Sequence, residues 1–242
     1  MLKHDWPIPD NVAIAMTNRY GGVSLSPFDS LNLGLHVGDK PQHVLANRAV
    51  LHQRLSLPAE PIWLEQVHGT NVVDVQTLMP GSAIALADGS YSNQFGHVCT
   101  VMTADCLPIL LCNQQGSEVA AVHAGWRGLC EGVIEQALAM FHSPPSSLIA
   151  YLGPAIGPSA FEVGSEVRDA FINKDPQASM HFVGHNSKYL GDLVGLARLR
   201  LSAAGVIQTY SANVCTFTDP DYFSYRRNKQ TGRMASLIWL KA

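Results

Sequence analysis

Short apolar runs with strand-like spacing recur along the chain, separated by segments whose apolar residues fall at three- and four-residue intervals. Val12 to Thr17 predicts a first strand that Gly21-Gly22 ends in a turn. His43 to Leu55 carries Val44, Leu45, Val50 and Leu51 at helical spacing, with Pro58 as its stop. Two strands are expected at Pro61 to Val67 and Val72 to Val75, around His68-Gly69-Thr70-Asn71. Val98 to Thr103 and Pro108 to Cys112 predict two more, joined by Ala104 to Leu107. Glu118 to Val122 reads as a short buried strand that runs into His123-Ala124-Gly125-Trp126-Arg127-Gly128 and then a helix to Phe141. Ser143 to Ser147 reads as a helix-to-strand loop and Leu148 to Leu152 as another strand. Ser165 is expected to cap a helix to Ile172. Asp192 to Ala204 is amphipathic and stops at Gly205, and Val206 to Tyr210 and Met234 to Leu240 close the sheet.

Strands outnumber helices in this pattern, and hairpin-like pairs mix with strand–helix–strand crossovers. The expectation is a mixed α+β fold with mixed sheets, not a purely parallel doubly wound one, in a single domain spanning residues 1–242. Composition agrees: 47% of residues are hydrophobic and only 14% charged, enough apolar surface to offset the entropy of ordering the chain. With 16 basic against 19 acidic residues the net charge is −3, which argues against a nucleic-acid coat. No apolar run approaches the ~18 residues of a membrane span, and the first ten residues carry two prolines and no apolar leader, so a cytoplasmic protein is expected. The odd set of five cysteines contains no C-x-x-C pair, and Cys99, Cys112 and Cys130 read as buried thiols.

Three residues stand out because each sits where a strand meets a loop: His68, Cys106 and His123. Two imidazoles and a thiolate form a three-donor set that leaves a fourth zinc position for water or substrate. The same residues support a Cys106–His123 dyad, a thiolate beside an imidazole, with Asp105 or His68 assisting. A trinuclear copper centre needs paired histidines, and none of the ten histidines forms H-x-H or neighbours Cys106. His181 and His185 lie in a polar segment that reads as a surface loop. Arg19 and the doublet Arg226-Arg227 offer forked donors for phosphate or carboxylate; Arg127 could equally satisfy loop carbonyls, and Asp88-Gly89 reads as a turn.

Six motifs then occur in order: Asn32-Leu33-Gly34-Leu35-His36-Val37-Gly38-Asp39, Gln66-Val67-His68-Gly69, Thr103-Ala104-Asp105-Cys106-Leu107-Pro108, Ala121-Val122-His123-Ala124-Gly125-Trp126-Arg127-Gly128, Gly153-Pro154-Ala155-Ile156-Gly157 and Phe223-Ser224-Tyr225-Arg226-Arg227. Together they resemble the bacterial laccase-domain proteins, also called the multicopper polyphenol oxidase or purine nucleoside phosphorylase family, and are similar to its enterobacterial members from about Arg19 to Trp239. Departures are small: Asp88-Gly89-Ser90 is richer in glycine than in many members, and Tyr222 stands where Phe is common.

The resemblance implies a four-layer α/β/β/α sandwich shared with cysteine hydrolases related to cytotoxic necrotizing factor. It implies zinc on His68, Cys106 and His123. It further implies phosphorolysis of adenosine, inosine, guanosine and methylthioadenosine to base and ribose 1-phosphate, with deamination of adenosine. On this reading Cys106, Asp105 and Asp88 are catalytic, either carboxylate handling protons, and Asn32, Arg19, Arg226 and Arg227 bind substrate. The partners are small molecules, phosphate included, and the chain works as a monomer. Two other activities belong to the resemblance: a peptidoglycan-editing hydrolase that removes muropeptide precursors carrying the wrong first amino acid, and a copper-dependent polyphenol oxidase. Copper loaded in vitro would bind an N/S site at least as tightly as zinc.

Overall fold

Two β-sheets lie face to face, with helices on both outer sides. The computed structural model describes residues 1–78 and 84–242. The first sheet has three antiparallel strands in the order β1 (Val12–Met16), β12 (Met234–Leu240), β4 (Val98–Thr103). The second has six: β11 (Gln208–Ser211), β7 (Leu148–Leu152), β5 (Leu107–Asn113), β6 (Val119–Ala124), β3 (Gly89–Ser92) and β2 (Val72–Asp74). Its outermost pairs, β11 with β7 and β2 with β3, are parallel and the inner ones antiparallel, so the sheet is mixed. A small third sheet joins β8 (Glu162–Val163), β10 (Lys188–Gly191) and β9 (Phe182–His185).

The alternation of side chains along each strand builds the layers. Val101, Cys99 and Ile238 of the first sheet meet Leu110, Cys112, Ala121 and Tyr151 of the second in one core. On the far side of the large sheet, Ile109, Leu111, Val122 and Leu152 pack against α3 (Val133–Leu138) and α5 (Leu193–Ala203) through Ile134, Ala137, Leu196 and Leu201. On the far side of the small sheet, Val98, Ala235, Leu237 and Trp239 meet Leu51 of α1 (Pro41–Leu55). β4, β5, β6 and β12 are therefore buried on both faces, which explains why they read as continuous apolar runs. Truncating one of these side chains, as in Ile109→Ala, would cost about 2–5 kcal/mol.

The central strands lie where the sequence predicts them, and the differences have local causes. Pro61 to Val67 forms no strand; it makes only isolated bridges, Ile62 with Cys99 and Glu65 with Leu86. Asp88-Gly89 is not a simple turn: Gly89 begins β3. A Cβ at Gly89 would lie 3.0 Å from Val72 Cγ2 and 3.2 Å from the Ala121 carbonyl oxygen, so glycine eases the close approach of three strands there. The helix expected through to Phe141 is split into α2 (Trp126–Glu131) and α3 by Gly132, whose φ is 110°. Gly164, not Ser165, caps α4 (Ser165–Lys174). The segment read as a loop is ordered: His181 ends a 3-10 turn (Pro176–His181), and His185 ends β9 of the β9–β10 hairpin, turned by Asn186 at φ 54°. Met234–Leu240 and Gln208–Ser211 belong to different sheets. No helix among the described residues is long and apolar enough to cross a membrane.

Candidate metal centre

Strand register brings the three donors together. Leu107 pairs with Ala124 and Pro108 with His123, so Cys106, one residue before β5, lies beside Gly125 and near His123 on the next strand. Gly89 pairs with Val122, which sets Asp88 next to His123, and the His123 amide donates to the Asp88 carbonyl at 2.7 Å. His68 reaches the same point from its turn, with its backbone in the left-handed region at φ 61°. One donor atom from each of His68, Cys106 and His123 lies within 4.8 Å of the others. Cys106 Sγ is 3.7 Å from His68 Nε2. The edge of a tetrahedral zinc site with one sulfur and one nitrogen is about 3.5 Å, so this spacing fits one ion.

The fully buried Asp88 carboxylate organises the cluster. It accepts the backbone N–H groups of Val67, His68 and Gly69 at 3.2, 2.9 and 2.7 Å, and the His123 ring through Nδ1 at 2.8 Å. Burial alone would raise this carboxyl, but the hydrogen bonds from His123 and the amides hold it below the usual carboxylate range. An ionised Asp88 accepts only, so Nδ1 carries the proton and Nε2 is left to face the cluster. Burial likewise opposes ionisation of Cys106, yet the charge of His123 and hydrogen bonds from both imidazoles hold the thiol below its ordinary value. The same thiolate and Asp88 hold His123 above its own, against burial.

Gly125 closes the cradle. A Cβ there would stand 2.7 Å from His68 Cδ2, 3.2 Å from Cys106 Sγ and 3.5 Å from His123 Cε1, so the three donors crowd onto backbone. Gly128 in α2 does the same for the turn, since its Cβ would meet the Gly69 carbonyl oxygen at 2.5 Å. Two imidazoles and a thiolate, with a carboxylate behind one imidazole, suit zinc or copper. Among the described residues this is the single group of three such donors so gathered.

Cys106 sits where two cavities meet. One, of about 410 Å³, is lined by His36, Gln66, His68, His123, Tyr225 and Arg233, among others. The second, about 180 Å³, is almost wholly apolar, with Trp126, Ile156, Phe161 and Leu193 in its wall beside Asp105 and Arg226. Asp105 has φ 96°, and both its oxygens are engaged: Oδ1 accepts Thr216 Oγ1 at 2.7 Å and Oδ2 the Arg226 amide at 2.6 Å. It ties the 216 and 226 loops to the residue next to Cys106.

The other residues singled out in the sequence are dispersed. Arg19 pairs with Asp29 at 3.1 Å and lies over the Phe223 ring. Arg226 borders the apolar cavity but its guanidinium donates to the carbonyls of Ala160 and Glu162. Arg227 donates to the carbonyls of Thr216, Phe217, Asp219 and Tyr222. Arg127 is exposed over Trp126. Asn32 is completely buried and accepts the amides of Gly34 and Arg233. The arginine that does line the cavity with the three donors is Arg233, which stands outside the arginine doublet. Its only sequence signal is a lone charge immediately before the apolar β12.

Known proteins share this sequence and fold. The chain is 56% identical over 241 residues to purine nucleoside phosphorylase YfiH of Escherichia coli, covering 99% of this chain and 98% of that one. It is 49% identical over 243 residues to purine nucleoside phosphorylase PA4543 of Pseudomonas aeruginosa, covering 99% and 98%. The crystal structure of Neisseria meningitidis protein NMB0706 superposes with a TM-score of 0.94 at 48% identity over 98% of both chains. That of YlmD from Geobacillus stearothermophilus gives 0.90 at 32% identity, over 96% and 93%. The model of the multi-copper polyphenol oxidoreductase laccase family matches residues 13–241, and the chain belongs to that family.

Proposed function

We propose that this chain is a zinc-dependent purine nucleoside phosphorylase that also deaminates adenosine. The observation that carries the reading is the His68–Cys106–His123 cluster at the junction of a cavity of mixed lining and a smaller apolar one, in a chain 56% identical to a protein named as a purine nucleoside phosphorylase. The substrates are adenosine, inosine, guanosine and methylthioadenosine, and the whole chain acts as one domain, a cytoplasmic monomer.

Zinc held by His68, Cys106 and His123 would supply a Lewis acid and a water that ionises near neutral pH, chemistry suited to replacing the C6 amino group of adenine, which leaves as ammonia. The chain's own residues supply orientation. Asp88 fixes the tautomer of His123 and the path of the 67–69 turn. Asp105 fixes the loops on either side of Cys106. All four carboxylate oxygens already accept hydrogen bonds, which supports a positioning role for both residues. The apolar wall of Trp126 and Phe161 suits a flat base, and the polar wall suits ribose and phosphate. In phosphorolysis a phosphate oxygen bonds to C1′ as the C1′–N9 bond breaks. The bonding pair leaves on the purine, whose ring nitrogen takes up the proton that hydrogen phosphate gives up on becoming the ester.

A second reading has its own observation. Cys106, His123 and Asp88 are arranged as thiol, base and orienting carboxylate, and the thiol is lowered. The cleft also adjoins, across His36, Gln66 and Met102, a further groove of about 320 Å³ lined by Arg48, Trp63 and Glu65. That is room for a substrate longer than a nucleoside, as the muropeptide-editing hydrolase and its kinship with cysteine hydrolases would need. A copper-loaded centre oxidising phenols is the third reading, and one three-donor cluster would hold a single ion.

One sample decides among them. Protein purified without added metal is analysed for zinc and copper and assayed for nucleoside phosphorolysis, adenosine deamination, muropeptide hydrolysis and phenol oxidation. Near-stoichiometric zinc with nucleoside turnover is expected. Hydrolysis of muropeptides without nucleoside turnover would replace the proposal with the second reading.

A further inference from the structure

Arg233 lies on the wall of the larger cavity, which His36, Gln66 and the three donors also line. Its backbone is fixed twice over. The Arg233 amide donates to Asn32 Oδ1 at 2.9 Å, and Asn32 is itself fully buried and hydrogen-bonded to Asp39. The Arg233 carbonyl accepts the Leu33 amide at 3.1 Å. Gly232 leaves no space for a side chain, since its Cβ would meet Phe223 at 2.6 Å. The side chain is half-buried, with Tyr225 over one side of the guanidinium at 5.8 Å.

Its donors are the ones left over. Arg233 Nη1 donates to the carbonyls of Thr231 and Gly232, both at 3.1 Å, while Nε and Nη2 have no acceptor among the described residues. No acidic side chain pairs with it among those residues, in contrast with Arg19, Arg168 and Arg200. In the doublet that the sequence favours, Arg227 uses both Nη atoms on carbonyl oxygens, and Arg226, engaged like Arg233 through Nη1 alone, borders the small apolar cavity and not the one lined by all three donors. His36 and Arg48 stand on the same side, and Arg48 is held by the Leu33 carbonyl against Trp63. An arginine fork with unused donors on a solvent-connected cavity suits an oxyanion, and His36, which burial and the charges of Arg233 and Arg48 hold below its ordinary value, lines the same cavity as a neutral N–H donor.

We propose that Arg233, with His36 beside it, holds the phosphate of the reaction, and that Asn32 contributes by fixing Arg233. This rests on the phosphorolysis reading for the anion's role but not for its existence. The ligand class is a tetrahedral phosphate dianion, with the guanidinium donating through Nε and Nη2.

The test uses zinc-loaded protein, wild type against Arg233→Gln, Arg233→Lys and Arg227→Gln. Inorganic phosphate is titrated calorimetrically, and phosphorolysis is measured against phosphate and nucleoside separately. Zinc content and thermal unfolding report whether each variant is intact. Arg233→Lys keeps the charge and the packing of the stem, so it stays informative if Arg233→Gln fails to fold. The expectation is that Arg233→Gln weakens phosphate binding and raises KM for phosphate roughly ten- to a hundred-fold, with KM for nucleoside changed less than about threefold. Arg233→Lys should fall between.

Phosphate binding lost in the Arg233 variants, without nucleoside turnover in any protein, would uphold the anion site while removing the phosphorylase reading. Unchanged phosphate affinity in intact Arg233 variants with turnover retained would overturn the site and leave that reading standing. Tighter binding of adenosine 5′-monophosphate than adenosine, abolished by Arg233→Gln, would uphold the site and identify the phosphate as part of the organic substrate.

Discussion

Asp88 Oδ1 accepts the His123 ring at 2.8 Å and the His68 amide at 2.9 Å, so one carboxylate oxygen sets both imidazole-bearing segments of the cluster. The contact is buried and the carboxyl is held below its usual range by those hydrogen bonds, against the effect of burial.

Asp88→Asn tests that relationship. The amide keeps the shape, but its NH₂ faces backbone N–H groups that need an acceptor. We expect a loss of about 1–3 kcal/mol of stability and a ten- to hundred-fold weaker zinc affinity, roughly, read by denaturant unfolding and competition with a chelator. A lowered carboxyl contributes its stability fully at neutral pH and loses it as pH falls through the lowered value. The acid side of the wild-type stability profile should therefore flatten in Asp88→Asn.

Gly125→Ala separates site from fold. Its backbone has φ −65°, open to alanine, yet the new methyl would press on the His68 ring and the Cys106 sulfur. Since His68 is exposed, its ring moves aside. Zinc content should fall steeply while the unfolding midpoint changes little; wild-type zinc content in this variant would show that His68 has no part in the centre.

Cys106→Ser removes the soft donor while nearly preserving size. A serine hydroxyl is not ionised near neutral pH and is a poor zinc ligand. Metal content and nucleoside turnover should vanish together. Zinc retained with turnover lost would assign Cys106 to nucleophilic attack, as in the hydrolase reading.

Alkylation of Cys106 reports its ionisation directly. With zinc bound the thiolate is protected and modification is slow. After chelation the neighbouring imidazoles keep the thiol below its ordinary value despite burial, so the thiolate persists to lower pH than in a free cysteine. The midpoint of rate against pH should lie on the acid side of the ordinary thiol value of about 8.5, and should move upward in His123→Gln. An unchanged midpoint in that variant would refute the coupling.

Asp105→Asn and Asp105→Ala divide backbone from side chain. The left-handed φ of 96° is tolerated better by asparagine than by alanine. Both lose a charged acceptor for Thr216 and the Arg226 amide. Alanine should cost about 1 kcal/mol more than asparagine in unfolding, and both should reduce turnover through a displaced Cys106.

The donors were legible because each falls at the end of an apolar run, and strands such as Val98–Thr103 and Leu148–Leu152 are apolar throughout, being covered on both faces. β3 was not, because Gly-Ser-Tyr-Ser has neither strand-like alternation nor an apolar run; its burial comes from neighbouring strands and a glycine that lets them approach. The role of Asp88 was hidden in an apparent turn for the same reason. The Arg226-Arg227 doublet drew attention by its sequence, but nothing in a sequence indicates that carbonyls will saturate the Arg227 guanidinium. Arg233 is the converse, an isolated charge whose neighbours His36 and Gln66 arrive from elsewhere in the chain.

That saturation has a consequence for how the protein responds to its chemical surroundings. All five cysteines are free, and the loop from Thr216 to Arg227 is cross-linked instead by one guanidinium that gathers four carbonyl oxygens. A staple of this kind has no reduction potential. The wall beside Cys106 should keep its shape across a range of thiol reductants that would open a disulfide-bonded loop, so that any redox sensitivity of this protein falls on its thiols and not on its scaffold.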